Sequence, residues 1–171
     1  MMARPEKSEA SAYYFGYIDQ VPDTDVNAVL HDQLEEYGAL FSSGISEEKS
    51  RHRYSPEKWS IKQVLNHITD AERAFAFRAL WFARGFDTPL PSYDQDVAAR
   101  GAAADTCSLA SLAQEFRYVR LSTIALFANM RTEAWLRAGI ASDNHFTVRA
   151  LAYIIAGHSA HHVSILRHRY L

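Results

Sequence analysis

The sequence predicts an all-α fold, and three observations carry the prediction. Four segments place apolar residues at helical spacing, none shows a convincing run of strand-like alternation, and the segment ends carry recognisable capping signals. The first segment runs from about Asp23 to Phe41, with Val26, Val29, Leu30, Leu34, Tyr37 and Phe41 along one side. Pro22 and Asp23 offer a start, and Gly44 lies just past its end. The second opens on a strong signal. Ser60 and Gln63 make a capping box, in which each side chain satisfies an otherwise orphaned backbone N–H, and Trp59 and Val64 occupy the positions of a hydrophobic staple. It runs to about Arg84, where Gly85 stops it. The third spans about Ser108 to Met130, with a short turn around Thr132–Arg137 after it. The fourth starts near Thr147 and continues through Leu166 almost to the last residue. Residues 85–107, GFDTPLPSYDQDVAARGAAADTC, form a loop of the length that covers sites. The expected organisation is an N-terminal extension at 1–20 and one helical domain at 21–171.

Composition narrows the function. A chain of 171 residues with 48% hydrophobic and 22% charged residues suits one compact domain with a sizeable core. A net charge of −2 gives no general attraction to nucleic acid. Nothing approaches the apolar run of a membrane span, and the opening MMARPEKSEASAYYFGYIDQ lacks the apolar stretch of a signal peptide, so the expected location is the cytoplasm. Cys107 is the only cysteine, which excludes an internal disulfide and a thiolate cluster. A tightly bound metal must therefore use histidine and carboxylate.

A helical wheel separates the histidines. On the fourth segment Leu151, Ile154, Ile155, Ile165 and Leu166 define an apolar face, and His158 and His162 fall in its middle. His161 lies at the edge of that face and His168 points further out. Burying an unsatisfied polar group costs roughly 1–3 kcal/mol, so both rings need partners. Ordinary hydrogen bonds in the core are one solution. A metal shared by two rings aimed at one point is the other. On the second segment Val64, Ile68, Phe75 and Leu80 mark the buried side, and His67 flanks it together with Ala71, Ala74 and Arg78. Small residues beside a histidine leave space above it, as a reactive metal needs. His31, His52, His145, His161 and His168 are read as surface or supporting residues.

Other residues carry weaker signals. Asp94 and Asp96 could bind metal, orient water or cap a turn, and Tyr93 could contact substrate or pack the loop down. Glu72 and Arg73 are expected to form a solvated or inter-helix ion pair. Arg78 is a candidate for holding a substrate carboxylate or for a structural salt bridge. Cys107 sits near a helix start, where a thiol can be activated, although an inert residue is the simpler reading. Phe77 and Trp81 fall away from the apolar centre and could form a dimer patch or pack under the loop.

The stretch WSIKQVLNHITDAERAFAFRALWFARG resembles the first signature of the DinB-like, YfiT-type superfamily of metal-dependent enzymes. TVRALAYIIAGHSAHHVSILRHRYL resembles its last, with a GHxxHH pattern, and PLPSYDQD resembles the loop between them. The resemblance spans roughly residues 20–171. It implies a four-helix bundle in up-down-down-up order with long connecting loops, a metal near one end held by His67, His158 and His162, and a homodimer. It also implies transfer or isomerisation chemistry with small thiols such as bacillithiol or mycothiol in some members. The expected function is a metal-dependent enzyme acting on a small molecule through one divalent ion, zinc or nickel. A low-molecular-weight thiol serves as cosubstrate if the reaction is S-transfer, and water attacks if it is hydrolysis. Arg78, Tyr93 and Asp94 are the substrate-binding candidates, and no residue is singled out as a catalytic acid or base. A non-enzymatic stress-response module with a structural metal is the contrasting reading, distinguished by a fourth protein ligand and the lack of a cavity.

Overall fold

The computed structural model describes residues 3–171. Its helices are α1 (Ala12–Ile18), α2 (Val26–Ala39), α3 (Ile61–Ala83), α4 (Gln95–Ala102), α5 (Leu109–Ala128) and α6 (Val148–Arg169). A two-stranded antiparallel ribbon, β1 (Ala138–Ala141) and β2 (Asn144–Thr147), precedes α6. Helices α2, α3, α5 and α6 form a four-helix bundle, and contacts between them fix its directions. Tyr153 donates to the Thr24 carbonyl and Arg167 pairs with Glu36, so α2 and α6 are parallel. Tyr170, after α6, donates to the Trp59 carbonyl before α3, while Arg137 before α6 donates to the Ala83 carbonyl ending α3; that pair is antiparallel. Ser60 meets Asp105 and Arg73 meets Glu115, which sets α5 parallel to α3. The order is up-down-down-up. No helix among the described residues is long and apolar enough to cross a membrane.

The caps explain most boundaries. The Ser60–Gln63 capping box forms as expected, Ser108 caps α5 and Thr147 caps α6. Gly85 stops α3 with φ of +86°, a left-handed conformation open to glycine. At α2 the cap is Asp25, whose side chain accepts from the Asn27 N–H, two residues later than Asp23.

Three elements differ from the sequence reading. Residues 12–18 form α1, because Phe15 and Ile18 bury one side of the turn-rich N-terminal stretch against the bundle. The loop at 85–107 contains α4, capped by Asp94. The ribbon closes through Ser142 and Asp143, at φ of +51° and +58°, the signature of a tight hairpin turn that here lacks its usual glycine. The edges of this ribbon gather neighbouring loops: Leu90 bridges Ala141, and Ala10 bridges Phe146.

The core falls into two apolar clusters. One joins α1, the C-terminal half of α3 and residues 148–156 of α6; the other joins the start of α3, the start of α5 and Val163 and Leu166. Between them lies a polar layer. Buried Arg120 donates from Nε and Nη2 to both oxygens of Glu72 at 2.8–3.0 Å, from Nη1 to Gln33, and from Nη2 to Ser159. The partner of Glu72 is thus Arg120 on α5, while Arg73 pairs with Asp70 and with Glu115 of α5, so both residues make the inter-helix pairing.

Candidate metal centre

The polar layer also holds the histidines. His67 on α3 and His158 and His162 on α6 face one another with all ligand atoms within 4.8 Å. The Nε2 of His158 is 3.1 Å from that of His67 and 3.1 Å from that of His162. Two nitrogens bound tetrahedrally to one ion at about 2.0–2.1 Å would stand about 3.3 Å apart, so the two pairs that include His158 already stand near the separation of ligands to one ion. Hydrogen bonds alone serve this arrangement poorly. The single in-plane lone pair of a neutral His158 Nε2 faces two other ring nitrogens and can accept well from one. An ion satisfies all three lone pairs together.

Burial prepares the rings for that role. Desolvation lowers the His67 pKa to about 4, against a small opposing effect of the Asp96 carboxylate. It lowers His162 to about 3, with the neighbouring His67 and His161 adding to the drop. His158, the most deeply buried, is pushed well below the ordinary range by desolvation and then by the other rings. The imidazoles are held neutral, the form that binds metal. Among the described residues no carboxylate or fourth side chain joins the cluster.

The supports around the cluster come from several elements. Ser159, next to His158, accepts from Arg120, and Arg120 holds Glu72 five residues beyond His67. Arg120 therefore ties both ligand-bearing helices to α5, α3 through the ion pair and α6 through the Ser159 hydrogen bond. Gly157 lets α1 approach: a Cβ there would overlap the Tyr17 carbonyl. That contact sets the Tyr17 ring edge-on to His158 at 5.3 Å and to His161 at 5.4 Å. Trp59 covers His67 from the other side, with ring centroids 4.9 Å apart.

A cavity of about 180 Å³ opens on the cluster, and both His67 and His158 line it. From α3 it is floored by His67, Ala71, Ala74 and Arg78, spaced i, i+4, i+7 and i+11 on one stripe. Arg78 donates to the Pro91 carbonyl at 3.2 Å and to Ser142 Oγ at 2.8 Å, and among the described residues it forms no salt bridge. Tyr93 lines the cavity. Asp94 does not: it is exposed and its Oδ1 accepts from the Asp96 and Val97 N–H groups, which is the capping alternative, and Gln95 reaches the cavity wall beside it. Cys107 lies outside this cavity, its carbonyl accepting from buried Lys62. Trp81 stacks on Phe86 at 4.1 Å and donates to the Thr88 carbonyl, so it packs under the loop, while Phe77 is half exposed.

Sequence reasoning missed Tyr13, Tyr14, Tyr17 and Ser142 as cavity residues. The available signal was Gly157, a lone glycine inside an apolar helix, which marks a close backbone approach. Arg120 was missed too, and only the fold brings it to Glu72.

Residues 18–166 match the DinB superfamily. No protein of curated function matches the chain. Among solved structures the chain is similar to one described as "YfiT from Bacillus subtilis is a probable metal-dependent hydrolase with an unusual four-helix bundle topology". The TM-score is 0.71 at 15% identity, covering 95% of this chain and 91% of that one, a likeness of fold. With its matched span covering the bundle up to the last turn of α6 and all three histidines, the chain belongs to the DinB superfamily.

Proposed function

We propose that this protein is a cytoplasmic metal-dependent hydrolase acting on a small molecule, with zinc or nickel held by His67, His158 and His162. The observation that carries the reading is a cluster of three neutral imidazoles, with no fourth protein ligand among the described residues, opening onto a cavity. Structural zinc has four protein ligands, whereas a catalytic ion keeps a position open. A divalent ion there supplies Lewis acidity and lowers the pKa of a water or thiol that reaches it. The protein's own part is positioning. Trp59 and Tyr17 wall the rings, the alanines of α3 leave room for substrate, and Arg78 and Tyr93 are placed to orient it. The likeness to YfiT, itself described as a probable metal-dependent hydrolase, supports the hydrolase class.

S-transfer from a low-molecular-weight thiol is the second reading, favoured by one further feature. His162 lines a separate opening of about 270 Å³ with Tyr54, Trp59, Val64 and Tyr170, room for a second reactant on the far side of the cluster. The chain's own thiol, Cys107, lines neither cavity. Metal-loaded protein incubated with ester and amide panels, with and without small thiols, separates the two. Hydrolysis without thiol that vanishes in His162→Ala supports the first reading; conjugate formed only with thiol replaces it with the second. The proposed assembly is a homodimer through the face bearing Phe77, and a monomer mass by light scattering at high concentration would remove that element.

A further inference from the structure

We infer that the substrate is a small organic carboxylate whose anionic end is held by Arg78, at the opposite end of the cavity floor from the histidine cluster. The inference rests on reading that cavity as the substrate site. Its basis is the pairing of the buried cations. Lys62 pairs with Glu47, Arg120 with Glu72, and the largely buried Arg149 with Glu9. Arg78 is buried too, at 6% exposure, yet among the described residues no carboxylate pairs with it. A buried charge without a counter-ion is costly, and desolvation lowers the Arg78 pKa accordingly. Arg78 also lines the cavity beside the histidines, which Lys62, Arg120 and Arg149 do not.

Donors remain for a ligand. Both hydrogen bonds of Arg78 use Nη2, which belongs to each two-pronged edge of the guanidinium, so among the described residues Nε and Nη1 are left to donate singly to a carboxylate oxygen. Those two bonds brace the side chain against the hairpin and the loop at Pro91, so it is pre-positioned. Apart from the proposed ion at the other end, no other formally charged side chain lines the cavity, and the single positive charge at the Arg78 end matches a monoanion better than a phosphate dianion. Ala71, Ala74, Phe75 and the tyrosines of α1 offer apolar and aromatic walls for the ligand's body. A volume of about 180 Å³ is the share of roughly six water molecules, enough for an aryl or short alkyl acid. His67 and Arg78, eleven residues apart, are roughly 16 Å apart along the helix axis at 1.5 Å per residue. The arginine side chain leans back toward the histidine. The reacting group thus falls at the metal end of the molecule and the carboxylate at the other.

The test is binding, so it does not depend on finding the reaction. Zinc-loaded and chelator-treated protein are titrated calorimetrically with benzoate, benzamide and phenyl phosphate. The expected result is that benzoate binds both forms, about tenfold or more tighter than neutral benzamide. Arg78→Gln should abolish that preference while keeping the wild-type zinc stoichiometry, and Arg78→Lys should restore part of it. Equal binding of benzoate and benzamide to wild-type protein overturns the inference even if Arg78→Gln does not fold. So does a benzoate preference confined to the zinc-loaded form, which would place the carboxylate on the ion, or a preference for phenyl phosphate. A benzoate preference that needs Arg78, alongside no hydrolysis of any ester or amide, would sink the hydrolase reading and leave this one standing.

Discussion

Burial favours the neutral form of the three imidazoles, and that has a consequence for stability. The folded pKa values of about 4 for His67 and about 3 for His162 lie below the ordinary 6.5. Between those values and 6.5 the unfolded chain binds protons that the folded chain excludes. The contribution is full above about pH 6.5 and is lost progressively as pH falls toward the folded values. Urea unfolding in the presence of a chelator should show a drop of about 2 kcal/mol from His67 alone between pH 7.5 and pH 5. A midpoint that does not move over this window would mean that the rings are not buried in neutral form. The Arg120–Glu72 pair makes a second residue-scale prediction. Removing one partner leaves the other charge buried, so Glu72→Gln should destabilise by about 3–5 kcal/mol. Because the pair ties α3 to α5, and Arg120 also holds Ser159 beside His158, zinc affinity should weaken in the same variant. Unchanged urea stability would contradict the role given to this pair.

Among the elements, α1 and α6 depend on the absence of a side chain at 157. Gly157→Ala should cost about 1–3 kcal/mol in urea unfolding through overpacking against the Tyr17 carbonyl. Gly38 on α2 gives the contrast: no atom stands within 4 Å of a Cβ placed there. Gly38→Ala should therefore stabilise, by about 0.5–1 kcal/mol. If both alanines behave alike, the close approach of α1 is not what the glycine serves. The four bundle helices were legible in the sequence because their signals are local. The Ser60–Gln63 box, Ser108, Thr147 and Gly85 act within a turn of the backbone they cap. The stripe joining His67, Ala71, Ala74 and Arg78 was legible for the same reason, as a matter of helical phase. The rest was set by partners distant in sequence. α1 is held by Phe15 and Ile18 against the bundle, the hairpin turns through Ser142 and Asp143 without glycine, and Glu72 finds Arg120 across 48 residues. The face of α3 bearing Glu72 could be read from phase, but the identity of its partner could not.

At the scale of the molecule, the bundle brings two antiparallel helices together so that ligands 91 residues apart meet at 3.1 Å. Two apolar clusters stabilise the ends of the bundle, leaving a polar seam that holds the Arg120–Glu72 pair and the three imidazoles. An ion that binds only the folded state across α3 and α6 should raise stability by mass action, about 2.7 kcal/mol at a free concentration a hundredfold above its dissociation constant. Thermal unfolding with and without zinc measures this, and an unmoved midpoint would argue against a site that spans two helices. The most direct measurement is elemental analysis of the purified wild-type protein beside His158→Ala and His168→Ala. About one divalent ion per chain is expected in the wild type and in His168→Ala, with a sharp loss in His158→Ala. Full metal occupancy in His158→Ala would contradict the three-histidine centre.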